Sequence, residues 1–579
     1  MNKQSRFNKS KSILPIMDWL PKYRRELLGG DINAGIIVTI VLIPQAMAYA
    51  MLAGLPPQVG LYSCLLPIML YALFGSSSTL AVGPVGLVSL IVGSTIIEMG
   101  LLGQEQALTV AVTLAGMSGV LLLLMRMLQL GSVINFISHP VLSGFTSAAA
   151  VLIILSQIKH LLGLEIPRTV HLPEAFTNIT AHLNEINPIT AMLGISSIAI
   201  MLVLRSNWLR KHSELKLSAQ VVDRVSRTGP LIIVTSGIII VWWLALDKSA
   251  NVNIVGAIPA GLPSLSLPSI NMSLARELLP TAFIIAIVGY LESVSVAKAL
   301  ATRKRQKIDA DQELLAHGIC NLGASISGGY PTAGGFGRSM VNYDSGANTP
   351  LASIITVILM SVALLFLTPL LYYLPHSVLA AIIIVAVSAL IDYRALKHAW
   401  LYDKADALAL LVTFVMVLTL GVEIGILTGA SLSIGIYLHR SSKPHVAVIG
   451  RVGDSEHFRN VDRFEVKTCP HVITMRVDEN LYFSNTNFIE DTIINLIAEN
   501  QQAKHLVIVC SSVNIIDASA LEALDTIIDS LRQAGVTVHL AEVKGPVMDR
   551  LKKSPLLQNL QPGQVFLSTH EAMNALGCS

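Results

Sequence analysis

At 579 residues, 53% hydrophobic and only 13% charged, the chain carries about half the usual charge share of a soluble domain and reads as an integral membrane protein. A net charge of +3 gives a nucleic-acid role no electrostatic footing, so no nucleic-acid partner is expected. Cys64, Cys320, Cys469, Cys510 and Cys578 are scattered with no CxxC pair, so unpaired thiols are expected, with neither a metal site nor a cofactor.

The N-terminal arm, 1–27, is polar and basic, without the short apolar core and cleavage site of a signal peptide. Apolar character then runs over 28–438 and divides into about fourteen segments. Seven are expected near 32–53, 59–74, 84–99, 107–128, 141–162, 188–205 and 230–246. Seven more follow near 277–300, 313–327, 333–343, 350–368, 376–391, 405–420 and 423–438. Two of these, 84–99 and 333–343, are too short or too broken to cross alone, and extended stretches at 79–82 and 328–332 are expected to complete the crossing. The breaks read Ala81-Val82-Gly83-Pro84-Val85-Gly86 and Gly328-Gly329-Tyr330-Pro331-Thr332-Ala333-Gly334-Gly335. Irregular backbone at membrane depth is tolerated only where protein or water covers its polar groups, and such a matched pair points to a transporter binding site.

Basic residues cluster in the arm, in the loop after the sixth segment (Arg205, Arg210, Lys211, Lys216, Arg224, Arg227) and after the eighth (Arg303, Lys304, Arg305, Lys307). Cytoplasmic loops are enriched in Lys and Arg, which puts all three inside and gives seven segments per half. The halves, 28–246 and 277–438, are then inverted repeats, the 7+7 arrangement of a secondary transporter. After a linker at 439–462 the pattern becomes that of a small soluble α/β domain over 463–579. Strands are expected at 472–477, 505–510 and 537–541, and helices at 484–500, 518–534 and from 547.

Ile43-Pro44-Gln45-Ala46-Met47-Ala48-Tyr49-Ala50, followed by Gly54-Leu55-Pro56-Pro57-Gln58-Val59-Gly60-Leu61-Tyr62, resembles the signature of the SulP sulfate-permease family. Ala81-Val82-Gly83-Pro84, Gln312-Glu313-Leu314-Leu315-Ala316 and Gly335-Phe336-Gly337-Arg338-Ser339-Met340-Val341-Asn342 resemble the same family in the same order, so the likeness covers essentially the whole chain. The tail is similar to the family's cytoplasmic STAS domain. Its Asp517-Ala518-Ser519 resembles the Asp-x-Ser turn of anti-sigma antagonists, though Ala520 stands where those relatives carry Gly. The resemblance implies a core, made of the first four segments of each repeat, moving against a gate, and a homodimer. A cytoplasmic protein partner of the STAS domain is a further expectation.

A helix N-terminus presents unpaired N–H groups and about half a positive charge, so two facing half-helices would make an anion pocket. Gly83, Pro84 and Val85 lead into the first half-helix, with Pro84 expected in its first turn; Gly335, Phe336, Gly337, Arg338 and Ser339 open the second. The guanidinium of Arg338 suits an oxyanion, the alternative being an ion pair with a neighbouring acid. Gln45 and Tyr49 lie four apart on one helix face and offer an amide and a hydroxyl. Glu292 is the acid set deepest in the second apolar half, and intramembrane carboxylates are costly and usually functional. Ionised, it would repel a bound anion; protonated, it would not, so proton and anion would enter together. Proton-coupled relatives resembling this chain carry a glutamate here. Glu423, at a segment boundary, reads as gate structure. Asp517 and Ser519 invite a regulatory reading, with packing at the helix start as the alternative.

The expected function is secondary transport of a small inorganic anion, sulfate favoured, by H⁺ symport and elevator-type alternating access in a bacterial inner membrane. The N-terminus and STAS domain would be cytoplasmic. Na⁺-dependent bicarbonate uptake, C4-dicarboxylate transport and chloride exchange would use the same positive cavity, and a membrane sensor signalling through the tail is a rival of another class. No nucleophile–base pair or phosphate loop supports an enzyme.

Overall fold

The structure, a computed structural model, describes residues 14–101, 103–131, 138–167, 172–205, 228–268 and 271–578. Residues 1–13 of the basic arm and the basic loop over 206–227 lie outside the described residues. Internal contacts divide the chain into two units, Met1–Ser433 and Ile434–Ser579.

The first half of the membrane unit runs through α1 (Arg25–Leu52), α2 (Pro57–Tyr62), α3 (Leu66–Phe74), strand β1 (Val82–Gly83), α4 (Gly86–Glu98), α5 (Gln104–Met127), α6 (His139–Leu162), α7 (Pro188–Arg205) and α8 (Gly229–Trp243). The second half repeats that order. It comprises α9 (Met272–Lys304), α10 (Ala310–Ile326), β2 (Ala333–Gly334), α11 (Phe336–Asp344), α12 (Leu351–Val362), α13 (His376–Val387), α14 (Tyr393–Tyr402), α15 (Lys404–Leu420) and α16 (Val422–Ser442). Among the described residues, eight helical stretches are long and apolar enough to cross a membrane, and shorter apolar helices, α4 among them, stand between them. Segment two is two helices rather than one, because the backbone at Leu65 leaves the helical region and Pro67 opens α3. Segment eleven widens beyond α12 into a π turn, Ala363–Leu367, and then tightens into a 3₁₀ turn at Thr368–Leu371.

Packing sorts these helices into two groups. The first four segments of each half pack on one another, α5 against α9 and α10, α3 against α10, and α1 against α11 and α12. The later segments form the second group, α6 against α13 and α15, and α7 against α8 and α13. These are the core and the gate.

The tail unit carries a six-stranded sheet in the order β4-β3-β5-β6-β7-β8. Its strands are β3 (Val446–Arg451), β4 (Phe458–Asn460), β5 (Val472–Val477), β6 (His505–Val509), β7 (Thr537–Ala541) and β8 (Val565–Phe566). β5 to β8 are parallel and need crossovers, which α17 (Thr486–Glu499), α18 (Ala518–Gln533) and α19 (Gly545–Leu551) supply; α20 (Thr569–Ala575) closes the chain. Over 439–462, α16 continues to Ser442 and β3 and β4 follow, with β3 antiparallel to both β4 and β5. One expectation is corrected here. Cys469 and Cys578 are not free thiols but a disulfide, since the end of the chain returns beside the start of β5 and brings their Cα atoms to 5.8 Å. Cys64, Cys320 and Cys510 are free, as expected, and they are buried.

Candidate functional site

β1 and β2 pair antiparallel, Val82 opposite Gly334 and Gly83 opposite Ala333. Each strand feeds a short helix, so antiparallel pairing sends α4 and α11 away in opposite directions with their N-termini facing. Extended chain in this environment needs partners for its polar groups, and core side chains supply them. The Gly334 N–H donates to Ser293 Oγ at 2.7 Å, Thr332 N–H to Asn321 Oδ1 at 2.7 Å, and Tyr330 N–H to Ser63 Oγ at 3.0 Å. Across the break, Ala81 N–H donates to Ser339 Oγ at 2.9 Å and Asn342 Nδ2 to the Thr79 carbonyl at 3.0 Å. Gly83 holds φ +152°, which disfavours any side chain there.

Both half-helices start without a side-chain cap, at Val85 and at Gly335. Their first N–H groups are therefore left to whatever occupies the space between them. That space is a cavity of about 80 Å³. Gln45 and Tyr49 from α1, Val85, Glu292 from α9, and Gly335 to Arg338 line it. A single water needs roughly 10–15 Å³, so a small ion with some hydration has room.

Arg338 supplies the charge. It is 3% exposed, and its Nη1 donates to the Pro84 carbonyl at 2.6 Å, which aims the guanidinium across the gap. Nε and Nη2 have no hydrogen-bond partner, and among the described residues no carboxylate forms an ion pair with it. Glu292 Oε2 and Gln45 Oε1 are likewise buried without partners. A buried cation with two idle N–H groups is costly unless something completes it. The ion-pair alternative for Arg338 is not what the geometry shows.

Other expectations are redistributed. Pro84 is not in the first turn of α4; the helix begins at Gly86 after Val85, and Pro84 acts through its carbonyl on Arg338. Gly83 and Ser339 do not line the cavity. Gly83 sits in β1, and the Ser339 hydroxyl is spent on Ala81 N–H and the Gly335 carbonyl. Glu292 is not the most buried acid of the second half. Glu313 is fully buried, yet its oxygens accept from Tyr71 OH at 2.9 Å and from Ser76 N–H and Oγ at 2.8 and 2.7 Å, a satisfied structural group. Glu423 Oε1 accepts from Thr281 Oγ1 at 2.7 Å, tying α16 of the gate to α9 of the core. Sequence reasoning missed the far wall, Ala386, Val387, Ala389 and Leu390 at the end of α13, because nothing marks an apolar residue as pocket-lining.

In the tail, Asp517 caps α18 through Ala520 N–H at 2.8 Å and accepts Phe483 N–H at 2.9 Å with its other oxygen. Ser519 is exposed rather than packed at the helix start.

The Sulfate permease family pattern matches residues 28–413, and a STAS domain pattern matches 463–572. The chain belongs to the sulfate permease family. That family is one of transporters, not enzymes. Sulfate transporter 4.1, chloroplastic, of Arabidopsis thaliana is 36% identical over 97% of this chain and 82% of its own length. Sulfate transporter 3.1 of the same plant is 31% identical over 98% and 87%. Among solved structures, the murine Slc26a9 anion transporter in the inward-facing state superposes with a TM-score of 0.88 over 100% of this chain and 97% of that one, at 22% identity. The transmembrane domain of the cyanobacterium bicarbonate transporter BicA gives 0.59 over 71% and 99%, also at 22%. At these identities the structural likeness is one of fold. This sulfate permease relative is thus a multi-pass membrane protein with a C-terminal STAS domain.

Proposed function

We propose that this chain is a secondary active transporter that takes up a small inorganic anion, most readily sulfate, together with a proton. The reading rests above all on the unpartnered Nε and Nη2 of buried Arg338, facing a cavity between two uncapped helix N-termini. A dianion there would accept the guanidinium and backbone N–H donors without displacing an existing partner. The names of the Arabidopsis relatives favour sulfate. Gln45 and Tyr49 would complete the substrate's hydrogen bonds, with Gly83, Pro84, Val85 and Gly335 to Ser339 shaping and holding the cradle.

Glu292 is the proposed coupling group. It shares the cavity with Arg338 without an ion pair, so its charge bears on any anion beside it. Loading of a dianion next to an ionised carboxylate is opposed, and protonation of Glu292 removes that opposition. The division of the helices into two groups, with α1 and α4 of the core resting on α6, α8 and α13 of the gate, supports an elevator-type motion carrying the site across the bilayer. In the same proposal the domain limits are 28–438 for the transporter and 463–579 for the STAS domain, the arm and tail face the cytoplasm across an inner membrane, and two copies associate. Partner binding or phosphorylation at Asp517 and Ser519 would regulate the tail.

Uptake of labelled sulfate into proteoliposomes, with and without an acid-outside gradient, tests this. The proposal expects accumulation only with the gradient. The fold shared with a bicarbonate transporter makes Na⁺-driven bicarbonate uptake the specific rival, and finding it without sulfate uptake would overturn the proposal.

A further inference from the structure

α14 is not one of the fourteen crossings. The backbone turns extended at Ile391, where φ is −78° and ψ 106°, so α13 and its short 3₁₀ extension end before α14 begins. α14 has its own N-cap, Asp392, whose Oδ1 accepts from Arg394 N–H and Ala395 N–H at 3.0 Å each. It packs on α15 and α6; Ala395, Leu396 and Ala399 are its half-buried residues, and none is fully buried. Tyr393, Lys397, Trp400 and Leu401 fall at positions i, i+4, i+7 and i+8, hence on one face, with Arg394 beside it. That face is open: Tyr393 is 73% exposed, Trp400 57% and Leu401 77%.

We propose that α14 lies in the headgroup layer and binds anionic lipid, phosphatidylglycerol-type phosphate against Arg394 and Lys397, with Tyr393, Trp400 and Leu401 sunk into the acyl boundary. The argument is one of connection and charge. α13 and α15 fall in the twelfth and thirteenth of the segments read as crossings from the sequence, so α14, between them, lies where the chain turns at a bilayer surface. With α15 and α16 each read as one crossing, that surface is the face at which the chain leaves α16. Aromatic rings are favoured at headgroup depth, and a helix with apolar and cationic residues on one face lies in the interface plane. Each basic residue at such a surface is worth roughly fivefold in affinity for anionic lipid. Arg394 also lies over the Tyr393 ring, 5.6 Å from its centroid, which keeps the guanidinium at the edge of the apolar face, where phosphate sits.

The test uses the full-length protein in bilayers holding nitroxide-labelled phosphatidylglycerol or phosphatidylcholine. The protein is expected to hold the anionic label in preference, the preference falling with salt. Arg394→Gln/Lys397→Gln should reduce it several-fold while the thermal midpoint in detergent stays the same. A nitroxide at Trp400→Cys gives an independent reading, since the free cysteines are buried. Oxygen should relax it more than a water-soluble nickel chelate. An unchanged lipid preference in the double variant, or a residue-400 probe that is water-exposed or shielded from both relaxants by protein, would overturn the proposal.

Discussion

Arg338→Ala is the perturbation whose outcome the geometry constrains most. The side chain is 3% exposed, holds one bond to the Pro84 carbonyl and leaves Nε and Nη2 for a ligand. A charge pair at about 4 Å and an effective dielectric of about 20 gains about 4 kcal/mol before desolvation. A hydrogen bond to a charged group nets roughly 1.5–3 kcal/mol. Taken together, losing the guanidinium should weaken sulfate binding by about 2–4 kcal/mol, or ~30-fold to ~1,000-fold in Kd. Arg338→Lys should fall between, because an ammonium restores the charge but not the planar fork. Equilibrium binding of labelled sulfate to purified protein at fixed pH is the assay. Thermal midpoints should be recorded alongside, since Arg338→Ala also strips the buried Pro84 carbonyl of its donor. A folded Arg338→Ala protein that binds sulfate within threefold of the original would falsify the assignment.

Further expectations concern the groups around that arginine and the tail. Glu292→Gln should abolish accumulation driven by a pH gradient while sparing sulfate–sulfate counterflow; gradient-driven uptake that survives would remove Glu292 from coupling. Gly335→Ala places a Cβ 3.1 Å from Arg338 Nη2, so the guanidinium must shift, and uptake should show a raised KM at unchanged expression. Ser293→Ala deletes the acceptor for Gly334 N–H and should cost roughly 1–3 kcal/mol, read as a lower thermal midpoint. In the tail, burial pushes His539 down to about 4, and burial with the Lys504 charge lowers His505. His539 Nδ1 accepts Gln564 N–H at 3.1 Å, and its Nε2 meets His505 Nδ1 at 3.2 Å, so a proton on His539 breaks the Gln564 bond. The unfolded chain then binds more protons below about pH 6.5, and this contribution is complete above that value and lost as pH falls toward 4. The protection factor of the Gln564 amide in the intact protein, taken relative to the intrinsic exchange rate at each pH, should fall over that range, and His539→Gln should flatten the dependence.

What the chain disclosed in advance follows from how local each signal is. The two Gly/Pro breaks were legible because no continuous helix accommodates them, and Gln45 and Tyr49 because i,i+4 spacing decides a face. The second segment's break at Leu65 and the π turn after α12 were not, since Pro67 and Pro369 beside them do not by themselves announce a break in a chain where Pro44 and Pro280 sit inside continuous helices. Arg338's place beside the cavity was visible as a charge amid apolar residues. Its freedom from an ion pair was not, because that depends on where Glu292 and Glu313 settle. Glu313 could not be told from Glu292 by pattern: only folding brings Tyr71 and Ser76 onto its oxygens. The start of α4 was misplaced by two residues because Pro84 suits a first turn equally well in sequence. β3 and β4 escaped notice in a mixed polar stretch, and the Cys469–Cys578 pair did so because a separation of 109 residues carries no geometric information.

Selenate, an anomalously scattering analogue of sulfate, allows the site to be located directly in crystals of the full-length protein. The anomalous peak is expected between the N-termini of α4 and α11, within hydrogen-bonding distance of Arg338 Nη2 and the backbone N–H groups of 336–338. A peak elsewhere in the membrane unit, with that cavity empty at selenate concentrations that saturate binding, would contradict the account.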